Sequence, residues 1–234
     1  MARAHEPDPG LRFARATLEA PLAGWKGTRG TVTLDTAVTA AHGVQLDASL
    51  MNNVPGTIGV LGFHGYLTPR SDRRYGIFLR AADVDGRGIA WGSLGVEGVR
   101  SFAGGGDISA RAALGLASVG GLDYLTAGIG GTRPLSRALE ASLSLDLTEY
   151  DEAAFRAIGS DLSLGLRYAA PGSAFGVHAR LQHNRLWGRN AAAGRTTVFL
   201  GGEWRYGADP RLNARSRPFR DHDAVAPLLR RGIY

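Results

Sequence analysis

Two-residue alternation of apolar and polar side chains, sustained over segment after segment, constrains this chain more than any other feature. Residues 139–148 show it most cleanly: Leu139, Ala141, Leu143, Leu145 and Leu147 alternate with Glu140, Ser142, Ser144, Asp146 and Thr148. The next segment sets Leu162, Leu164, Leu166 and Tyr168 against Asp161, Ser163, Gly165 and Arg167. In a third, Phe175, Val177, Ala179 and Leu181 face away from Gly176, His178, Arg180 and Gln182, and Val44, Leu46, Ala48 and Leu50 do the same earlier in the chain. Successive side chains on a strand point to opposite faces, so this period makes one face apolar and the other polar. No helical period of three to four residues persists over any long stretch.

Turn signals punctuate the pattern: Ala41-His42-Gly43, Asp83-Val84-Asp85-Gly86, Ala103-Gly104-Gly105-Gly106-Asp107, Thr132-Arg133-Pro134 and Ala170-Pro171-Gly172-Ser173. Between them the sequence predicts about twelve strands, near 11–19, 29–40, 43–52, 57–67, 74–84, 88–101, 107–119, 121–131, 137–149, 158–168, 174–187 and 195–206. The count falls to ten if the first strand or the Gly120-Gly121 turn is misread. Segments of this length, roughly 9–11 residues, suit a tilted strand crossing a bilayer. An even count places both chain ends on one side of the membrane. The longer connections, 20–28, 52–57, 149–158 and 187–195, are then expected outside the cell.

A soluble β-sandwich also alternates. Three details favour a closed transmembrane β-barrel instead. The apolar faces are rich in Leu, Val, Ala and Gly rather than clustered aromatics. Aromatic residues gather near strand ends, at Tyr66, Tyr75, Tyr124, Tyr150, Phe155, Tyr168, Trp187, Trp204 and Tyr206, where interfacial girdles are expected. The polar faces carry both signs of charge beside Gly and Ser, as a lumen does. A mean hydropathy of -0.10 agrees, because lipid-facing and lumen-facing halves cancel. Strands survive in lipid only when a closed barrel pairs every backbone group.

Segments such as Ile89-Ala-Trp-Gly-Ser-Leu-Gly-Val-Glu-Gly-Val99 and Val198-Phe-Leu-Gly-Gly-Glu-Trp-Arg-Tyr206 resemble strands of Gram-negative outer-membrane β-barrel proteins of the porin-like class. The likeness extends over nearly the whole chain to Tyr206 and implies an outer-membrane address with the signal peptide removed, since residues 1–10 lack an apolar signal region. Such barrels usually end on an aromatic strand. Here Trp204 and Tyr206 fill that role, but about thirty residues follow. The expected organisation is an extension over 1–10, a barrel over 11–206 and a basic periplasmic tail over 207–234, poorly ordered or lying against the rim.

The expected function is a passive narrow pore for small solutes. Its lumen is expected to be lined by Asp35, Asp47, Glu97, Arg111, Glu140, Asp146, Asp161, Arg167, His178, Arg180, Glu203 and Arg205. The same mixed charges could instead pair with one another and plug the barrel, giving a structural or partner-anchoring protein whose tail binds something periplasmic. A lipid-modifying barrel enzyme is the third reading, on Asp161, Ser163 and His178. With Tyr168 paired near Phe175, Ser163 would lie opposite Arg180 and diagonal to His178. A soluble β-sandwich binding module is the fourth.

Cysteine is absent, which excludes disulfides, thiolate metal sites and thiol nucleophiles. The histidines show no metal-ligand spacing, Asp221-His222-Asp223 reads as solvated tail rather than a cation site, and no cofactor or metal is expected. The net charge of +6 is carried almost wholly by Arg and is dispersed, which argues against a nucleic-acid surface. The expected partners are membrane lipid, small solutes and lipopolysaccharide phosphates, the last through Arg29, Arg156 and Arg189.

Overall fold

The computed structural model describes residues 10–118, 121–152, 155–207 and 218–232. Twelve antiparallel strands close into one barrel: β1 (Gly10–Pro21), β2 (Arg29–Ala37), β3 (His42–Asn52), β4 (Thr57–Arg70), β5 (Arg73–Val84), β6 (Ala90–Ser101), β7 (Asp107–Ala117), β8 (Leu122–Pro134), β9 (Leu139–Asp151), β10 (Arg156–Tyr168), β11 (Phe175–Trp187) and β12 (Ala192–Gly207). Each strand pairs with its sequence neighbours, and β1 closes the ring on β12. The predicted strands therefore correspond one for one, with ends displaced by a few residues. A closed ring leaves no unpaired sheet edge.

Closure decides which face is which. Leu143, Leu164 and Val177 are 55%, 50% and 58% exposed on the outside, while Thr33 and Asp35, alternating with the outward Val32 and Leu34, are 1% and 0% exposed. No second sheet covers the leucine face among the described residues, so the sandwich reading is overturned. Large inward side chains are accommodated by inward glycines. Tyr66 lies directly across from Gly43, and a Cβ at Gly43 would coincide with the phenol ring. The same relation holds between Tyr124 and Gly115.

Some sequence expectations are corrected. Tyr66, Tyr124 and Tyr150 are buried inside the barrel rather than placed in a girdle. The outward aromatics Tyr75, Tyr168, Phe175, Trp204 and Tyr206 gather at the end of the barrel that carries Gly10 and Gly207, here termed the near end. The far-end connections are short, only 22–28 exceeding the near-end turns. The gap between the predicted strands 57–67 and 74–84 is mostly strand: β4 runs on to Arg70 through a register irregularity after Leu67, and a two-residue turn leads into β5 at Arg73. The β10–β11 register differs by two residues from the expected one: Tyr168 pairs with Val177, Ser163 with Gln182 and Asp161 with Asn184. The wider 169–174 turn leaves Phe175 to pair with β12 alone, and an even slip keeps every side chain on its face.

The largest correction concerns the tail. Residues 218–232 neither hang from the barrel nor lie on its rim; they run through its interior and include a single helical turn, α1 (Ala226–Leu229). The composition that makes this segment read as a solvated tail matches the charged groups on the inward strand faces. Its apolar stretch Val225-Ala-Pro-Leu-Leu229 finds an apolar belt inside.

Candidate functional site

The tail can be followed by its contacts from the near end to the far end. Phe219 packs with Tyr66 and Val99, close to the near ends of β4 and β6. Its backbone forms two hydrogen bonds with the Gln45 side chain, N–H donating to Oε1 at 2.7 Å and the carbonyl accepting from Nε2 at 3.2 Å. Its ring stacks on His64 with centroids 5.7 Å apart, and the Arg74 guanidinium sits 4.7 Å from the ring centre. This pocket is built by the wall itself. Asp35 accepts from Tyr66 at 2.6 Å and from Arg74 at 2.7 Å. His64 bridges Glu97 at 2.5 Å and Asp47 at 2.9 Å.

Midway, the contacts become ionic. Arg220 forms a two-pronged pair with Asp146, and its carbonyl accepts from Arg111 at 2.6 Å. Asp221 is gripped by both Arg29 and Arg80. Asp223 accepts from Arg80 at 3.0 Å and from the Trp91 indole at 3.1 Å. It also accepts from the backbone N–H groups of Val225 and Ala226, which fixes the start of α1. Arg29, expected at an outer rim, is thus turned inward.

Toward the far end the contacts become apolar. Val225, Leu228 and Leu229 are fully buried against Met51, Ile58, Val84, Trp91, Leu122 and Leu186, with the Tyr150 hydroxyl donating to the Ala224 carbonyl at 2.5 Å. These wall residues lie at the far ends of β3 to β11. Arg231 completes the path by donating to Asn184 and to the Ala193 carbonyl.

Among the described residues, the tail leaves part of the lumen open, a cavity of about 430 Å³ between it and a wall formed mainly by β9 to β12, β1 and β2. Its lining reaches from Phe13, Asp107 and Arg205 near one end to Gly27, Arg29 and Met51 at the other. Along it lie Arg15, Arg167, Arg205, Glu140 and Glu203, then Glu19, His178 and Arg180. Arg167 pairs with Glu203 at 2.7 Å and Glu140 at 3.3 Å, and Arg180 pairs with Glu19 at 2.6 Å. Small neighbours make room for these long side chains, Ser142, Ser144, Ser163 and Gly165 among them.

The twelve charged positions named from the sequence have buried or half-buried side chains. Eight of them, Asp47, Asp146 and Asp161 together with Glu140, Arg167, Arg180, Glu203 and Arg205, border the cavity with His178, whereas Asp35, Glu97 and Arg111 serve the tail-binding side. Sequence reasoning missed Arg15, Arg29, Arg80 and the tail groups Phe219, Asp221 and Asp223. The apolar run 225–229, inside a supposedly solvated tail, was the available signal. The serine-histidine reading loses its geometry: His178 lies 3.5 Å from Glu19, Asp161 accepts from Gln182 at 2.5 Å, and neither is bonded to Ser163 among the described residues. No group of three or more His, Asp or Glu is arranged to hold a metal among the described residues.

The fold is that of solved outer-membrane barrels. The NanC porin matches with a TM-score of 0.58 at 7% identity, over 83% of this chain and 98% of that one. An outer membrane channel from Pseudomonas putida F1 matches with a TM-score of 0.58 at 9% identity, over 88% and 99%. The KdgM porin, solved with disordered oligogalacturonate, matches with a TM-score of 0.56 at 7% identity, over 82% and 98%. No family model matches the chain, and no curated protein matches its sequence. At such identities the likeness is one of fold.

Proposed function

We propose that the protein is a pore-type barrel of the Gram-negative outer membrane in which the C-terminal segment narrows the lumen to one charge-lined passage for small solutes. The observation that carries this reading is the cavity of about 430 Å³ beside the tail, lined by residues from both ends of the barrel. The membrane address rests on the exterior. Leucine, valine and isoleucine stand half-exposed on every strand, and water is a poor neighbour for a continuous apolar belt. Hydrocarbon satisfies it, and the near-end aromatics Tyr75, Trp204 and Tyr206 take the head-group level. Arg156, paired with Asp151 at 2.6 Å, and Arg189, both exposed at the far end, are the groups offered to lipopolysaccharide phosphates on this reading.

The passage carries both signs of charge, paired between strands along its wall. Such a lining admits small hydrated solutes without strong preference and excludes bulky ones by width. The solved porins and channel that share the fold support a pore over a purely structural barrel.

Planar-bilayer recording tests the proposal. The full chain is expected to give small, steady conductance steps, and a chain lacking residues 208–234 to give steps several times larger. Silence from both, with each shown to be folded by its heat-dependent gel mobility, would leave the structural, partner-anchoring reading in its place.

A further inference from the structure

Most inward charges on the barrel wall find opposite charges on the wall. Arg74 has Asp35, Arg167 has Glu140 and Glu203, Arg180 has Glu19, and His64 has Asp47 and Glu97. Arg29 and Arg80 are different. Their bonded carboxylates, among the described residues, both belong to the tail. Arg80, almost fully buried, donates to Asp221, to the His222 carbonyl and to Asp223. Arg29 donates to Asp221 and otherwise to the neutral Ser49 hydroxyl at 3.1 Å. Arg111 stands beside them, over the Phe78 ring at 4.4 Å, with the Arg220 carbonyl as its hydrogen-bond acceptor.

Two of the nearest wall acids are committed elsewhere: Glu97, across from Arg111 in register, is bonded to His64, and Glu19 is held by Arg180. A third, Asp146, is paired with Arg220 and His222 of the tail. Among the described residues, the wall alone therefore presents three guanidinium groups without a bonded carboxylate, gathered about one point of the lumen, and a single freed acid, Asp146, beside them, which leaves two positive charges unbalanced. Buried charges of one sign are strongly unfavourable unless an opposite charge fills the site. Guanidinium forks suit carboxylate and phosphate oxygens best. Asp221 and Asp223, two residues apart, supply two carboxylates to this spot.

We propose that Arg29, Arg80 and Arg111 form a binding site for a small dianion, a dicarboxylate or a phosphate, and that Asp221 and Asp223 are its resident occupant. A dianionic solute entering the lumen competes with the tail for the arginines and releases it. The proposal deepens the pore reading by naming the solute class that widens the passage. The tail is tethered to the barrel, so its effective concentration is on the order of millimolar. A free competitor must reach a similar or higher concentration to displace it.

The test uses the full chain in detergent. The protein has no cysteine, so Val225→Cys places one thiol in the fully buried part of the tail. Ala224→Cys, buried at the next position, serves if the first variant fails to show folded gel mobility. The rate of labelling by a charged maleimide is read in succinate, in inorganic phosphate and in chloride at matched ionic strength. Succinate, phosphate or both at tens of millimolar are expected to raise the rate severalfold over chloride, and the pattern says which dianion the site takes. Adding Arg80→Gln is expected to give fast labelling that no longer responds to either. Equal rates in all three salts would overturn the proposal, because screening alone then describes the contact. Labelling does not depend on conductance, so a barrel that never conducts can still pass this test, and a conducting one can fail it.

Discussion

Asp35 shows how single residues hold this interior together. It is fully buried, accepts from Tyr66 and Arg74, and so shapes the pocket that receives Phe219. Asp35→Ala takes the carboxylate away from a guanidinium that is itself only 2% exposed. Removing one partner of such a pair destabilises by about 3–5 kcal/mol. The expected outcome is a lower urea midpoint for loss of the folded gel form, with part of the loss recovered when Arg74→Met is added. A midpoint unchanged by Asp35→Ala would contradict the pairing. At this scale the sequence was informative about inward direction and silent about partners. Alternation places Asp35, Glu97 and Arg111 on the polar face, but the residues they meet lie two or three strands away or on the tail, at separations no local pattern encodes. Tyr66 and Tyr124 misled for the same reason. Their inward direction depends on Gly43 and Gly115 across the neighbouring strand.

At the scale of the strand, period-2 patterning was nearly sufficient. Every strand was legible because one side must match hydrocarbon and the other an aqueous, charged interior, a contrast stronger than most soluble sheets require. Register was less legible, since turn geometry rather than patterning sets it. The slip of two residues between β10 and β11 preserved every inward and outward assignment while moving Ser163 from Arg180 to Gln182. The two faces of β10 also respond differently to charge. Leu164→Arg places a cation on the lipid side near the middle of the strand and is expected to destabilise by about 2–4 kcal/mol. Ser163→Arg adds the same group on the cavity side and is expected to be tolerated better. Refolding from urea into liposomes separates the two. Equal effects would mean that Leu164, half-exposed on the outside, does not face lipid.

The whole molecule is a barrel that contains part of its own chain, and this was the least legible feature. A segment rich in Arg, Asp and Pro has the composition of a solvated tail when taken alone. Its environment inside the barrel is equally charged, so composition does not separate the two settings. Only the run Val225–Leu229 pointed to burial, and its apolar counterpart is scattered over the far ends of strands β3 to β11. On the proposed reading, the tail turns a wide ring of strands into a narrow passage, the cavity beside it being lined mainly by β9 to β12, β1 and β2. Hydrogen exchange on the folded protein in detergent tests the placement of this segment most directly. The Phe219, Val225 and Ala226 amides, each bonded to a buried side chain, and those of α1 should exchange on the slow timescale of the strands. Complete exchange of residues 219–229 within seconds, while the strands stay protected, would place the segment in solvent and contradict the threaded barrel.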